Sequence, residues 1–357
     1  MTEVSRRDHK RWIDFGRGSS ILLVVLLHVS LWIENEFNGG SPAVWWLFSE
    51  AMAPIRMPLF FFISGYLAAS AVRRPLKESK ARTIGFYYIY AFWTALFLLR
   101  LWVPIPGFDE HPSWPSFILA LVLPTSFWYI WALAFFFVLA WSVERLLGAH
   151  SVWLTLPLTA LAFAAPTIDA FFRPLLERPA DPLMFGQMSA NFVWFFIGIH
   201  GQKWWQTIMN HSTGPLAATL AMLYLAVALA YVWTDAIAWT RPLLAAIGLV
   251  AVATALPHLP GRNAVVNWIE GVGKLTLPVY IFHIFAISAL SGLVKLTGFS
   301  SIISADPQLY GAIIPPILAA LLAWVSLLLG RVILASPFRW TLSPDWLKAE
   351  RQETRGA

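Results

Sequence analysis

Gly18-Ser19-Ser20-Ile21-Leu22-Leu23-Val24-Val25-Leu26-Leu27-His28-Val29-Ser30-Leu31-Trp32-Ile33 holds one imidazole and no other ionisable side chain. Asp14 and Arg17 precede it, and Glu34 and Glu36 follow. A helix over the apolar stretch, near 15–36, reaches the roughly 20 residues that cross a bilayer's hydrocarbon core. The rest of the chain has the same character: its 357 residues are 58% apolar and 12% charged, with twenty tryptophans. Soluble domains carry about 25% charged and about 45–50% apolar residues. A soluble fold could not hide the apolar excess and keep a wettable surface, and Trp concentrates where an apolar ring meets a polar boundary. A soluble enzyme, a disordered chain and a disulfide scaffold are excluded. The fold class is all-α, a polytopic integral membrane protein.

Nine further stretches meet the same length criterion, giving ten spans near 15–36, 46–72, 83–103, 126–147, 152–171, 188–206, 215–233, 240–257, 273–296 and 311–335. Pro54 and Pro58 interrupt the second, which predicts a kink, and Pro278 predicts a bend in the ninth. With the N-terminus cytoplasmic, eighteen Lys and Arg residues fall in inside segments. Arg17, Arg56 and Arg100 lie within or at the edge of spans, and only Arg173, Arg178, Arg241 and Lys295 fall outside. That bias orients the chain with both termini inside. Residues 1–338 form one membrane domain and 339–357 a polar cytoplasmic tail. The first span lacks a small-residue cleavage site and reads as retained. Trp114–Leu123, in a Pro-rich outer loop, is expected along the interface.

The chain has no Cys, which removes thiol catalysis and Cys-based zinc sites. The net charge of +6 sits in short runs beside apolar stretches, so it implies the bilayer as partner and no nucleic acid. No HExxH, P-loop or GxSxG motif occurs, and no metal-ligand spacing is present. No 20–50-residue repeat or symmetry between halves is visible, which disfavours an inverted-repeat transporter.

Ionisable residues inside a membrane are costly, so each is a candidate for function. Glu144 with Arg145, His200 and Arg100 lie near span ends and read as snorkelling or interfacial groups. Arg17 and His28 differ. Eleven helical steps separate them, about 16 Å and about three turns, so both project from nearly one face with His28 near mid-membrane. A cationic anchor below an imidazole suits a substrate that enters from the cytoplasm and reacts deeper; the alternative is a packed His bonded to a nearby Ser or carbonyl. His283 lies about 13 Å in from Lys274, close to the depth of His28, which suggests one polar chamber, or only a helix–helix hydrogen bond. Arg56 lies toward the outer half, with Glu50 two turns further out. Asp14, Glu50, Arg56, Ser64, Tyr280 and His283 are the expected supporting polar residues. Small residues at Ser64-Gly65-Tyr66 permit close backbone approach.

Asp14-x-x-Arg17-Gly18 followed by ten residues to His28 resembles the opening helix of the membrane acyltransferase-3 family. Phe60-Phe61-Phe62-Ile63-Ser64-Gly65-Tyr66 is similar to that family's second-helix signature, and Thr276-Leu277-Pro278-Val279-Tyr280-Ile281-Phe282-His283 to its late-helix pattern. The resemblance covers nearly the whole chain. It implies a multi-pass enzyme of the plasma (inner) membrane that moves an acyl group, usually acetyl, from cytoplasmic acyl-CoA. The acceptor would be a hydroxyl of an envelope glycan or glycolipid, with mycolate-type glycolipids one possibility. By the resemblance His28 is the catalytic histidine and Arg17 belongs to the acyl-donor path. The family's RxxR pair reads Ser79-Lys80-Ala81-Arg82 here, so its first arginine is missing. A hydrolase-like extracytoplasmic domain, which some members carry fused, would be a separate partner here.

The residues agree with that implication. CoA is polyanionic, and Arg73, Arg74, Lys80 and Arg82 form a basic loop suited to its phosphates, although topology alone also explains the loop. An imidazole with a pKa of about 6.5 is a natural general base for a hydroxyl nucleophile, and a cation or donor would steady the oxyanion. Direct attack on the thioester and an acyl-histidine intermediate both remain open. The second reading of the same buried polar residues is a lipid or glycan transporter or flippase. A third is a non-catalytic membrane component of an envelope assembly.

Overall fold

The computed structural model describes residues 3–37, 43–102, 113–175, 184–233, 240–261, 263–297 and 307–344, with the backbone alone for residues 3–10, 43, 173–175, 233 and 307–310. The described chain is helical, with no strand among these residues. The helices are α1 (Glu3–Glu36), α2 (Ala43–Val72), α3 (Ile84–Leu99), α4 (Trp114–Val122), α5 (Trp128–Leu147), α6 (Thr155–Leu175), α7 (Phe185–His200), α8 (Gln202–Asn210), α9 (Gly214–Trp233), α10 (Arg241–Ala255), α11 (Ala264–Lys274), α12 (Thr276–Thr297) and α13 (Pro307–Ala335). Short 3-10 turns link several of them.

Eight stretches are long and apolar enough to cross a membrane. One of them, Trp128–Phe172, contains both α5 and α6, joined through the 3-10 turn Gly148–Leu154. The expected span at 188–206 is instead two helices broken at Gly201. α7 has 16 residues, about 24 Å at 1.5 Å each, and α8 is a separate amphipathic helix whose Trp205 is fully buried. α8 docks beneath α2: Gln202 Nε2 donates to the Tyr66 carbonyl at 2.7 Å, and Gln206 Nε2 to the Tyr66 hydroxyl at 2.9 Å.

Pro278 does not bend its helix. It occupies the first turn of α12, where a missing N–H leaves no helical acceptor bare. Pro54 and Pro58 lie inside α2, which runs on through both. Lacking N–H groups, they leave the carbonyls of Glu50 and Pro54 without helical partners.

Trp114–Leu123 does not lie along the interface. Trp114 packs on Trp102 at the far end of α3, with ring centroids 4.6 Å apart. At the other end of α4, Tyr90 donates to the Ala120 carbonyl at 2.7 Å and contacts the Leu123 carbonyl, while Tyr87 donates to the Leu121 carbonyl at 3.1 Å. Trp131 Nε1 donates to the Val122 carbonyl at 2.8 Å. Trp102 and Tyr90 are twelve residues apart, about 18 Å along a helix, so α4 runs antiparallel to α3 into the membrane. A helix ends in four unpartnered carbonyls, and hydrocarbon tolerates such groups only when protein satisfies them. Here aromatic side chains do.

Glu144 does not snorkel to water. Its carboxylate lies 3.0 Å from His200 Nε2 and accepts from the Ser151 hydroxyl at 2.6 Å, with both members of the pair largely shielded. Arg145 turns back over the Trp141 ring. The described part of the tail docks on α3, with Trp93 Nε1 donating to the Thr341 carbonyl at 2.9 Å; residues 345–357 lie outside the described residues.

Glycines bring the helices that carry the site close together. A Cβ at Gly65 would overlap the Phe195 carbonyl, and one at Gly198 would overlap the Phe62 carbonyl, so α2 and α7 cross backbone to backbone. Likewise Gly273 of α11 lies against the Asp14 carbonyl of α1, and an Arg11–Glu270 ion pair of 2.6 Å ties the same two helices. Gly271, two residues earlier, faces open space. Gly273→Ala is therefore expected to lower stability by about 1–3 kcal/mol, the usual cost of overpacking. Gly271→Ala should be neutral or stabilise by roughly 0.5–1 kcal/mol. Thermal unfolding of both variants in detergent checks this, and equal melting temperatures would refute it.

Candidate active site

α1 and α12 bring two imidazoles together near mid-membrane. His28 Nδ1 and His283 Nε2 are 2.9 Å apart, with the rings nearly parallel and their centroids 5.1 Å apart. His283 is fully buried. Its Nδ1 lies 2.8 Å from the Val279 carbonyl one turn back on α12. A carbonyl only accepts, so His283 Nδ1 carries the proton and a neutral His283 has a bare Nε2. That nitrogen accepts, so His28 Nδ1 must donate. The proton of a neutral His28 is then held on Nδ1, and its Nε2 keeps a free lone pair. Two hydrogen bonds fix both tautomers, and the outer imidazole becomes a base with a defined direction.

Below the pair, Arg17 donates to the Thr276 hydroxyl at 2.6 Å. Arg17 and Thr276 line a cavity of about 240 Å³ between α1, α2, α3, α5, α7 and α12. Arg82 stands at its α3 end and also donates to the Leu67 carbonyl at 2.8 Å. Phe60, Phe86, Leu133 and Phe137 supply apolar wall. The hydroxyls of Ser64, Tyr129 and Tyr280 complete the lining. Ser64 donates to the Phe60 carbonyl at 2.8 Å, so the Tyr129 hydroxyl, 2.8 Å away, donates to Ser64. Tyr280 takes the Tyr129 backbone N–H at 3.3 Å and faces the Ser126 carbonyl at 3.4 Å. Of the groups lining this cavity, the two arginines are the positively charged ones.

A second cavity of about 360 Å³ opens toward the other end of the bundle, between α2, α6, α7 and α10. Arg56 lines it and also donates to Ser49 at 3.3 Å. From Ser64, eight residues of α2 climb about 12 Å to Arg56, while eleven of α1 climb about 16 Å from Arg17 to His28. The two reach similar depths. The Tyr280 ring lies 6.1 Å from that of His283. Neither imidazole is among the residues lining either cavity.

The expected single chamber is therefore divided. Ser64 and Tyr280 belong to the first cavity and Arg56 to the second, and His283 lines neither. Glu50 is paired across to Arg241 at 3.2 Å, and Asp14 lies in the α1–α11 contact. Of the basic loop, Arg82 reaches the cavity, Lys80 is half-buried, and Arg73 and Arg74 are exposed. Among the described residues no three His, Asp or Glu side chains converge as a metal site would require. Sequence reasoning missed Tyr129 and Thr276. Thr276 opened a quoted motif, but nothing in the sequence tied it to Arg17. Tyr129 lies inside an aromatic run with nothing to distinguish it.

The described residues form a membrane-type helix bundle with two hydrogen-bonded imidazoles and a separate arginine-bearing cavity. The family model described as "Acyltransferase domain" matches residues 10–337. The chain belongs to this acyltransferase-3 family of membrane acyltransferases. It is also similar to Nodulation protein NolL of Mesorhizobium japonicum, 27% identical over 169 residues, which is 46% of this chain and 43% of that protein. The aligned part of the chain therefore spans less than half of that relative's length. No solved structure matches.

Proposed function

We propose that the protein transfers an acyl group, acetyl in the first instance, from cytoplasmic acyl-CoA to a hydroxyl of an envelope glycan or glycolipid at the opposite face of the plasma membrane. The observation that carries this reading is the pair of hydrogen bonds from the Val279 carbonyl through His283 to His28, which leaves His28 Nε2 unprotonated. The donor's thioester arm would occupy the Arg17 cavity, its apolar wall against the arm, with Arg82, Lys80, Arg73 and Arg74 nearest its phosphates. The acceptor hydroxyl attacks the thioester carbonyl while His28 Nε2 takes its proton. Collapse of the tetrahedral intermediate breaks the C–S bond and expels the thiolate, which takes back the proton held by His28 as CoA leaves. A mycolate-type glycolipid is one acceptor consistent with a site reached through the membrane.

Purified protein incubated with acetyl-CoA and extracted envelope glycolipids or glycans should release free CoA and yield an acylated acceptor by mass. Release at the background rate with every acceptor would sink the reading. Arg82→Gln should raise the KM for acyl-CoA by roughly tenfold, since a charge-assisted hydrogen bond contributes about 1.5–3 kcal/mol. Its kcat should change little. A lowered kcat at unchanged KM would remove Arg82 from donor binding.

A further inference from the structure

The cavity between α2, α6, α7 and α10 is lined by strong donors and strong acceptors at one end of the bundle. α6 ends there and α7 and α10 begin, which makes it the outer end by the bias of the cations. Its volume of about 360 Å³ falls in the range of small-molecule sites, about 300–1,000 Å³. A Cβ on Gly186 would come within 2.8 Å of the Asp169 Cβ, so Asp169 stands beside the first turn of α7. Counted back from the Gly65–Phe195 and Phe62–Gly198 crossings, Arg56 is level with residues 186–192, the first two turns of α7. Charges of both signs therefore line the cavity at nearly one height.

The donors come first. A guanidinium has five N–H groups, yet the hydrogen bond that Arg56 makes among the described residues is one of 3.3 Å to Ser49, and it forms no ion pair there. Arg241 differs, since Glu50 takes its charge at 3.2 Å. Trp194 is only 6% exposed and lines the cavity, and its indole N–H has no hydrogen-bond partner among the described residues. The acceptors are as many. Asp169 brings a carboxylate. Asn191 Nδ2 donates to the Gln187 carbonyl at 2.8 Å, which leaves its side-chain oxygen to accept. Pro58 and Pro166 lack the N–H that would reach the carbonyls of Pro54 and Ala162, and both of those residues line the cavity. Carbonyls without helical partners at membrane depth are expected where they face polar groups, water or a ligand.

A ligand that satisfies both sets carries an anion for Arg56 and Trp194 and a cation with several N–H groups for Asp169, Asn191 and the carbonyls. A neutral polyhydroxyl compound offers no countercharge to Arg56, and a polyanion would meet Asp169. A quaternary ammonium has no N–H to give the carbonyls. Pockets between membrane helices bind lipid headgroups. At the outer end of such a bundle the lining matches a phosphodiester joined to a primary ammonium.

We infer that this cavity binds the phosphoethanolamine headgroup of an outer-leaflet lipid, a resident ligand that is neither acyl donor nor acyl acceptor. The bound headgroup ties α6, α7 and α10 to α2, and it stabilises the folded chain by mass action.

The test uses the full chain in two settings. In detergent, glycerophosphoethanolamine is titrated by saturation-transfer NMR beside glycerophosphoglycerol, glycerophosphocholine, ethanolamine, glycine and methyl glucoside. Glycerophosphoethanolamine should bind saturably and at least tenfold more tightly than any of the others, the usual worth of a charge-assisted hydrogen bond. In nanodiscs of phosphatidylethanolamine, phosphatidylcholine and phosphatidylglycerol in equal parts, native mass spectrometry should find phosphatidylethanolamine retained in preference. Arg56→Gln and Asp169→Asn should each weaken headgroup binding tenfold or more, and Asp169→Asn should also remove the preference over glycerophosphocholine. If Arg56→Gln fails to fold, Asp169→Asn alone decides. Absence of saturable headgroup binding overturns the inference, as does equal or tighter binding of any of the other compounds, or parental affinity in the folded variants. Headgroup binding in detergent without retention of the lipid in nanodiscs overturns the lipid as its source. No acyl donor is present, so a failure of acyl transfer would leave this result standing, and a failure here would leave CoA release untouched.

Discussion

His28→Ala is expected to reduce acyl transfer by about a thousandfold or more, to a rate near that of mixed donor and acceptor alone. A positioned general base contributes about 10²–10⁴, and no other described base stands in hydrogen-bond contact with the pair. Arg17 is cationic, Tyr129 spends its proton on Ser64, and Tyr280 is engaged by the α5 backbone. The alanine also leaves His283 Nε2 without its donor in a fully buried setting. Unfolding transitions of variant and parent must therefore be compared before the rates. Free-CoA release from acetyl-CoA, with and without acceptor, is the measurement. Turnover within tenfold of wild type in a folded His28→Ala protein would remove the imidazole from the reaction.

His283→Phe should cost roughly 10²–10⁴ in kcat and leave both KM values nearly unchanged. The aromatic ring preserves most of the packing on α12 but cannot accept from His28 Nδ1–H. Without that acceptor the His28 proton can move to Nε2, the atom that must be bare. Similar losses follow when the residue orienting a catalytic histidine no longer holds its tautomer. His283→Gln, whose carbonyl oxygen can accept, should recover part of the loss. A packing role alone would not predict this order. The nitrogen chemical shifts of isotopically labelled His28 give a second readout, since they separate the Nδ1–H from the Nε2–H form. The relay fails if His283→Phe turns over like wild type, or if the Nε2–H form already dominates in the parent.

The sequence made the meeting of His28 and His283 legible because a helix converts residue count into depth. Counting from Arg17 and from Lys274 gave nearly equal heights, and the imidazoles lie 2.9 Å apart. Counting along one helix does not show which side chains stand between two others. The division of the polar residues into two cavities, with Ser64 in one and Arg56 in the other, follows from helix rotation and crossing. Those are set by glycine contacts such as Gly65 with Phe195 and Gly273 with Asp14. The span at 188–206 looked continuous because hydropathy averages over the break at Gly201. Pro278 looked like a bend because the preceding break, which puts it in a first turn, falls at Leu275, a residue that ordinarily continues a helix. Glu144 and His200 looked separate for a similar reason: 56 residues apart in sequence, they meet because α5 and α7 end side by side.

The descent of α4 along α3 bears on how the chain is made. Nine residues, about 13.5 Å of helix, are too few to be inserted as an independent span. The carbonyls of Ala120, Leu121 and Val122 find their partners on Tyr90, Tyr87 and Trp131, which come from the helices on either side. The segment therefore cannot settle while only the chain up to residue 123 has left the ribosome. α3 must already be lodged and α5 at least begun. Biogenesis then has a late step at this corner, in which a loop left at the outer surface is drawn inward. Tyr129 and Ser126, which hold Tyr280, come to rest in that step, so the floor of the Arg17 cavity is completed only after the helices around it are in place.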